Sequence, residues 1–246
     1  MSSEINSQSA TDTDADIPRR SGRNLNWLAA ELVVVVMGVI LGLAFSAWWQ
    51  DIQDQKDSHS SLLRLSGNLT TTLRDLQGDV TALEKSAQAA RMLINSKASE
   101  ITREAAALAI ARIFDTRTPV AESAEYKALT STGRLRDISN PKIVTAVTSI
   151  YEQLPYLVRL SDISDREARD LRKMLAMSLV YSDVGAFELD APPFTLNDRG
   201  EELLARPDVR AQIVSAGYWA AFQARRYRSV IADISDVIAE IDIDLR

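Results

Sequence analysis

Apolar residues are arranged in three ways along this chain, and each arrangement predicts a different kind of helix. From Leu28 to Trp49 they run all round: LAAELVVVVMGVILGLAFSAWW holds 22 residues and one ionisable group, Glu31. A helix of that length rises roughly 33 Å at ~1.5 Å per residue, close to the ~30 Å hydrocarbon core of a bilayer. Trp27 on one flank and Trp48 and Trp49 on the other sit where an aromatic belt would lie. A core helix of a soluble protein rarely runs this far without a polar face. The rival is a cleaved signal peptide, because Ala44 and Ser46 mimic a small-residue cleavage site. The run exceeds the ~7–15 residues of a usual signal-peptide core. Arg19 and Arg20 begin like a twin-arginine signal that Ser21, Gly22 and Arg23 do not continue. The expectation is a transmembrane helix within residues 25–50.

Beyond the span the apolar positions narrow to a seam. Leu62, Leu65, Leu69, Leu73, Leu76, Val80 and Leu83 recur at steps of three and four, averaging 3.5, with Thr, Arg, Asp and Gln on the outer positions. That heptad suits one helix of an intramolecular bundle or, alternatively, an intermolecular coiled coil. The helix should run from Asp51 to about Asn95, continuous with the span.

Amphipathic stretches separated by breakers make up the rest. EAAALAIARIF predicts a helix over roughly 98–114, broken by Thr116 to Pro119. A short helix around Glu122–Thr132 should stop at Gly133, a favourable residue for a left-handed cap. Asn140 followed by Pro141 offers a cap and then proline at the first helical position. The next helix should therefore run from Pro141 to about Tyr181, kinked or interrupted near Pro155. Residues 182–206, with Pro192, Pro193 and Phe194, are expected as one long non-helical connection with a turn near Glu201–Leu204. The last helix should start at Pro207 and reach about Asp242, with Val209, Ile213, Ala216, Ala220, Tyr227, Ile231, Ile234, Ile238 and Ile241 on one stripe. No internal repeat recurs at a fixed period.

Composition agrees: only 9 Gly and 7 Pro in 246 residues favour helices over sheets. The expected class is all-α, one N-terminal transmembrane helix followed by a bundle of four or five helices. Residues 1–24 hold scarcely any large apolar group and are expected to form a disordered tail; residues 51–246 form the helical domain. Arg19, Arg20 and Arg23 precede the span and Lys56 and Arg64 follow it, which places the N-terminus in the cytoplasm and the domain on the far side.

Charge and residue inventory exclude more than they assign. A net charge of −6 argues against a nucleic-acid partner. The absence of cysteine removes disulfides, thiolate metal sites and cysteine nucleophiles, and a single histidine, His59, removes nearly all zinc and Ser–His chemistry. No G-x-G-x-x-G, Walker A, H-E-x-x-H or G-x-S-x-G string occurs. No catalytic, metal-binding or cofactor-binding residue is assigned, no cofactor is expected, and the chain is read as a non-enzyme. Glu201 and Glu202 read as helix-surface charges. His59 reads as a solvated surface residue, with pH sensing as the alternative.

Three features are candidates for interaction. Gly38 and Gly42 form a small-xxx-small pair that Ser46 and Ala30 extend at four-residue spacing, with Val34 between, a stripe that would let two membrane helices approach closely. Glu31, the one charge in the span, is read as structural or assembly-related, with ion or partner coupling as the alternative. Arg225, Arg226 and Arg228 form a basic patch that either pairs with acidic neighbours or meets an anionic ligand or lipid headgroup.

The segment YKALTSTGRLRDISNPKI carries a Tyr-x-x-Leu-x-Ser-Thr-Gly-x-Leu pattern through Tyr126, Leu129, Ser131, Thr132, Gly133 and Leu135. Together with Glu31 and the apolar run leading to Trp48 and Trp49, it resembles a family of uncharacterised bacterial single-pass membrane proteins with a domain of unknown function. The resemblance covers roughly residues 28–155; the C-terminal third has no part in it. It implies layout alone, a single span in a bacterial inner membrane, with no activity to carry over. Read from the residues, Ser131-Thr132-Gly133 is a helix stop with a hydroxyl turn. The expectation is a membrane-anchored interaction or scaffold protein whose partners are the lipid bilayer, a second copy in a homodimer or higher oligomer, or another membrane protein. The alternative is a sensory or ligand-binding periplasmic domain acting through a partner protein.

Overall fold

Helix α1 runs from Asn24 to Asn95, 72 residues without a proline. The computed structural model describes residues 24–97, 100–181 and 192–246. The expected N-terminal tail, the side chain of Trp27 and residues 182–191 lie outside the described residues. The protein is all-α in class: about 85% of the described residues are helical, with six α-helices among them. It divides into two compact units, residues 1–53 and 54–246.

The first unit contributes the start of α1. Every residue from Ala30 to Gln50 is exposed, including large apolar side chains from Leu32, 65% exposed, to Trp49, 58% exposed. This stretch is long and apolar enough to cross a membrane.

In the second unit the pattern inverts. Leu62, Leu65, Leu69, Leu76, Val80 and Leu83 of α1 are buried in one core cluster, with Leu73 half-buried beside them. They meet Ile143, Val147, Ile150 and Leu157 of α4 (Pro141–Leu175) and Tyr227, Val230, Ile234 and Ile241 of α6 (Pro207–Asp244). The heptad seam is thus filled by the chain's own helices. The coiled-coil alternative fails here, because these side chains are already buried and cannot also face a second copy. Each fully buried Leu or Ile stabilises by about 1.5–3 kcal/mol relative to exposure, so this seam is where unit 54–246 gains much of its cohesion.

A second cluster closes the other end. Leu93 of α1 packs with Ile110 and Ile113 of α2 (Arg103–Phe114), Leu171 and Leu175 of α4, and Val209 and Ile213 of α6. Helix α2 starts at Arg103 rather than near residue 98, capped by Thr102, whose side chain accepts from the Ala105 amide at 3.2 Å. Helix α3 (Ala124–Thr132) stops at Gly133, which takes φ 73°, a left-handed conformation that suits glycine. Helix α4 starts at the expected pair: Asn140 Oδ1 accepts from the Lys142 amide at 3.1 Å and Pro141 occupies the first turn.

Three expectations are corrected. Of the kink or interruption expected near Pro155, the interruption does not occur: α4 continues through it. Proline in a helix interior costs about 3 kcal/mol, and the burial of Tyr151, Leu154, Leu157 and Leu160 around it outweighs that, while Pro155 itself lies on the exposed face. The helix also ends earlier than Tyr181, at Leu175, followed by a 3₁₀ turn over Ala176–Ser178 and strand β1 over Leu179–Tyr181. The stretch expected as one non-helical connection instead carries strand β2, Phe194–Leu196, and helix α5, Arg199–Ala205. β1 and β2 pair antiparallel, with Leu179 opposite Leu196 and Tyr181 opposite Phe194. Phe194 and Leu196 turn into the second cluster while Thr195 faces out, the period-two alternation of a strand. Asn197 then accepts from the Arg199 amide at 3.0 Å and donates to the Met177 carbonyl at 2.9 Å, tying the start of α5 to the end of the 3₁₀ turn.

Candidate functional site

The residues expected to pack membrane helices lie on α1 and are exposed: Glu31, Gly38, Gly42 and Ser46. A methyl group placed on Gly38 or Gly42 would meet nothing within 4 Å. At ~100° per residue a step of four drifts by about 40°, so Ala30 and Ser46 end far apart around the helix. Glu31, seven positions before Gly38 and eleven before Gly42, lies between those two in projection. Gly38 and Gly42 therefore share one face with Glu31, and Ala30 and Ser46 fall to either side of it.

The turn motif resolves into structural roles. Tyr126 stacks on Tyr151 of α4, centroids 4.1 Å apart and planes at 8°, and Leu129 is buried in the first cluster with Leu135 half-buried against it. Ser131 Oγ and Thr132 Oγ1 donate back to the Ala128 carbonyl of the preceding turn at 3.0 and 2.8 Å. Ser131, Thr132 and Gly133 are exposed. The segment is held onto α1 by polar ties: Arg64 pairs bidentately with Glu125 at 2.8 and 3.1 Å, Arg134 reaches Asp57 at 3.1 Å, and Thr72 Oγ1 accepts from the Glu122 amide at 3.1 Å. The Arg64 hydrogen bond holds the Glu125 carboxyl below the usual carboxylate range against the opposing effect of burial. Tyr151 donates to the Glu122 carbonyl at 2.8 Å, and burial pushes its hydroxyl up to about 12.

A buried polar node went unread in the sequence. Gln223, 1% exposed, donates from Nε2 to the Arg117 carbonyl at 2.8 Å and to the Tyr227 hydroxyl at 2.7 Å. Its Oε1 has no partner among the described residues. Burial raises the Tyr227 hydroxyl well above its ordinary range and pushes the nearby Asp79 carboxyl up against the pull of Arg117. The legible signal was a glutamine four residues before Tyr227, inside an otherwise apolar stripe. The node pins the irregular segment between α2 and α3 to α6.

The basic patch divides. Arg228 pairs with Glu84 of α1, and Arg226 lies over the Tyr156 ring, 5.5 Å from its centroid. Arg225 lies over the Phe222 ring of its own helix, 5.9 Å from the centroid, and stands beside a surface groove between α1 and α6, opposite Arg91 of α1. The groove exists because the helices meet at small residues: a methyl on Gly217 would sit 2.5 Å from the Ala90 Cβ. One part of the groove, about 330 Å³, is walled by Ile94, Val214 and Tyr218; the adjoining part, about 420 Å³, by Glu84, Gln88 and Arg228. His59 is exposed, and Glu201 and Glu202 sit in the first turn of α5, where the helix dipole favours carboxylates. No cluster of three metal-ligating side chains occurs among the described residues.

No protein-family model matches the chain, and comparison with curated proteins and with solved structures finds no match.

Proposed function

We propose that this chain is a membrane-anchored helical interaction or scaffold protein. Residues 25–50 form a single span in a bacterial inner membrane, with the N-terminus cytoplasmic and residues 51–246 a periplasmic helical bundle. The observation that carries this is the exposure of every large apolar residue between Leu32 and Trp49, each by 47% or more: no other described element covers them, and hydrocarbon is the solvent in which that surface is stable. Self-association through the face that carries Gly38 and Gly42, with Glu31 beside them, is part of the proposal, because the glycines let two helix backbones approach in lipid. A second reading, a ligand-binding domain acting through a partner protein, is favoured by the groove between α1 and α6.

A reporter active only in the cytoplasm, fused after Arg246, tests the topology: silence is expected, and strong signal overturns it. Sequencing the N-terminus of the mature protein tests the anchor, since a start at Ala47 or Trp48 would mean the segment is cleaved. Replacing Gly38 and Gly42 with isoleucine should diminish cross-linked dimer in membranes; undiminished dimer would remove the glycines from the interface.

A further inference from the structure

The groove between α1 and α6 changes polarity along its length rather than across its width. At one end the walls are Ala90, Ile94, Val214, Gly217 and Tyr218, enclosing about 330 Å³. Val214 and Tyr218 are 53% and 56% exposed there, an apolar surface left open by the described residues. In the middle, shared by both parts, stand Arg91 from α1 and Arg225 from α6, with Ala87 and Ala221 as the floor between them. At the far end Glu84 and Arg228 neutralise each other. Neither Arg91 nor Arg225 pairs with a carboxylate among the described residues, although the chain as a whole carries −6.

An amphipathic partner helix would need an apolar stripe along the full groove, and the polar half offers none. A molecule with a short apolar tail and an anionic head matches both parts at once. Arginine's planar fork suits a carboxylate or phosphate, and ~300 Å³ is the lower end of the range for small-molecule sites. We propose that this groove binds a single-chain anionic amphiphile, its tail against Ile94, Val214 and Tyr218 and its carboxylate or phosphate between Arg91 and Arg225. The inference rests on the ligand-binding reading and is independent of the topology.

The test uses the full chain in phosphatidylcholine nanodiscs with a diazirine-bearing decanoate as photoprobe, mapping adducts by mass spectrometry. Saturable labelling is expected on peptides from 84–94 and 214–228, competed by decanoate and by decyl phosphate and far less by decanol. Better competition by decanoate points to a free fatty acid, and better competition by decyl phosphate to a phosphate headgroup; either supports the site. Arg91→Gln with Arg225→Gln should cut labelling about tenfold or more, since both charge-assisted hydrogen bonds to the head group are lost. Both side chains are exposed, so the melting temperature should hold. Ala221→Trp, which fills the groove floor and leaves both arginines, should abolish labelling as well. Labelling unchanged in both variants overturns the site. Competed adducts that map to other peptides overturn it while leaving ligand binding standing, and an absence of saturable labelling takes both.

Discussion

Between Ala30 and Trp49, α1 buries nothing; between Leu62 and Leu93 it buries a residue in every turn. Backbone hydrogen bonding is the same in both stretches, and the first is the more hydrophobic. What separates them is the arrangement of apolar residues around the helix. An all-round apolar surface cannot be covered by two or three neighbouring helices, whereas a seam repeating every 3.5 residues presents one face that α4 and α6 fill. Hydrophobicity alone does not make a core; a core needs a face that other elements of the chain can reach.

The largest effect should come from cutting into the seam. Leu76, 1% exposed, changed to alanine is predicted to cost about 2–5 kcal/mol of unfolding free energy. Leu41→Ala, at an exposed position of the first stretch, should shift the same denaturation curve of residues 54–246 by less than about 0.5 kcal/mol. Equal losses would mean the two stretches are not distinct.

The glycines sharpen the contrast next. Gly217→Ala is expected to cost about 1–3 kcal/mol through overpacking, because the added methyl lies 2.5 Å from the Ala90 Cβ. Gly42→Ala meets nothing within 4 Å and should leave monomer stability intact. A wild-type melting curve for the Gly217 variant would show that α1 and α6 part easily there. Gly133, at φ 73°, is constrained by backbone conformation instead: Gly133→Val should cost about 1 kcal/mol or more, and an unchanged melt would remove the left-handed cap.

The smallest effect concerns the tie between α1 and α3. Glu125→Gln should cost about 0.5–1 kcal/mol, the pair being partly exposed on the Arg64 side. The folded carboxyl lies below its ordinary range, so its contribution is present above the unfolded pKa, ~4.3, and is lost as pH falls through the folded value. The difference between wild type and variant should be constant near neutrality and shrink in acid. A difference that persists in strong acid would assign the effect to packing.

What the sequence determined was local or periodic. The Asn140–Pro141 start and the Gly133 stop each depend on a few consecutive residues, and the seam from Leu62 to Leu83 is legible because helix geometry repeats. Tertiary structure decided which elements fill that seam, kept Pro155 inside α4, and drew residues 179–181 and 194–196 into a ladder where a loop was expected. The candidate site was hidden for the same reason. Ala90 and Gly217 are 127 positions apart, and nothing local to either says that they touch. Arg91 and Arg225 become neighbours of one groove only because that contact brings α1 and α6 close enough to leave a channel between them.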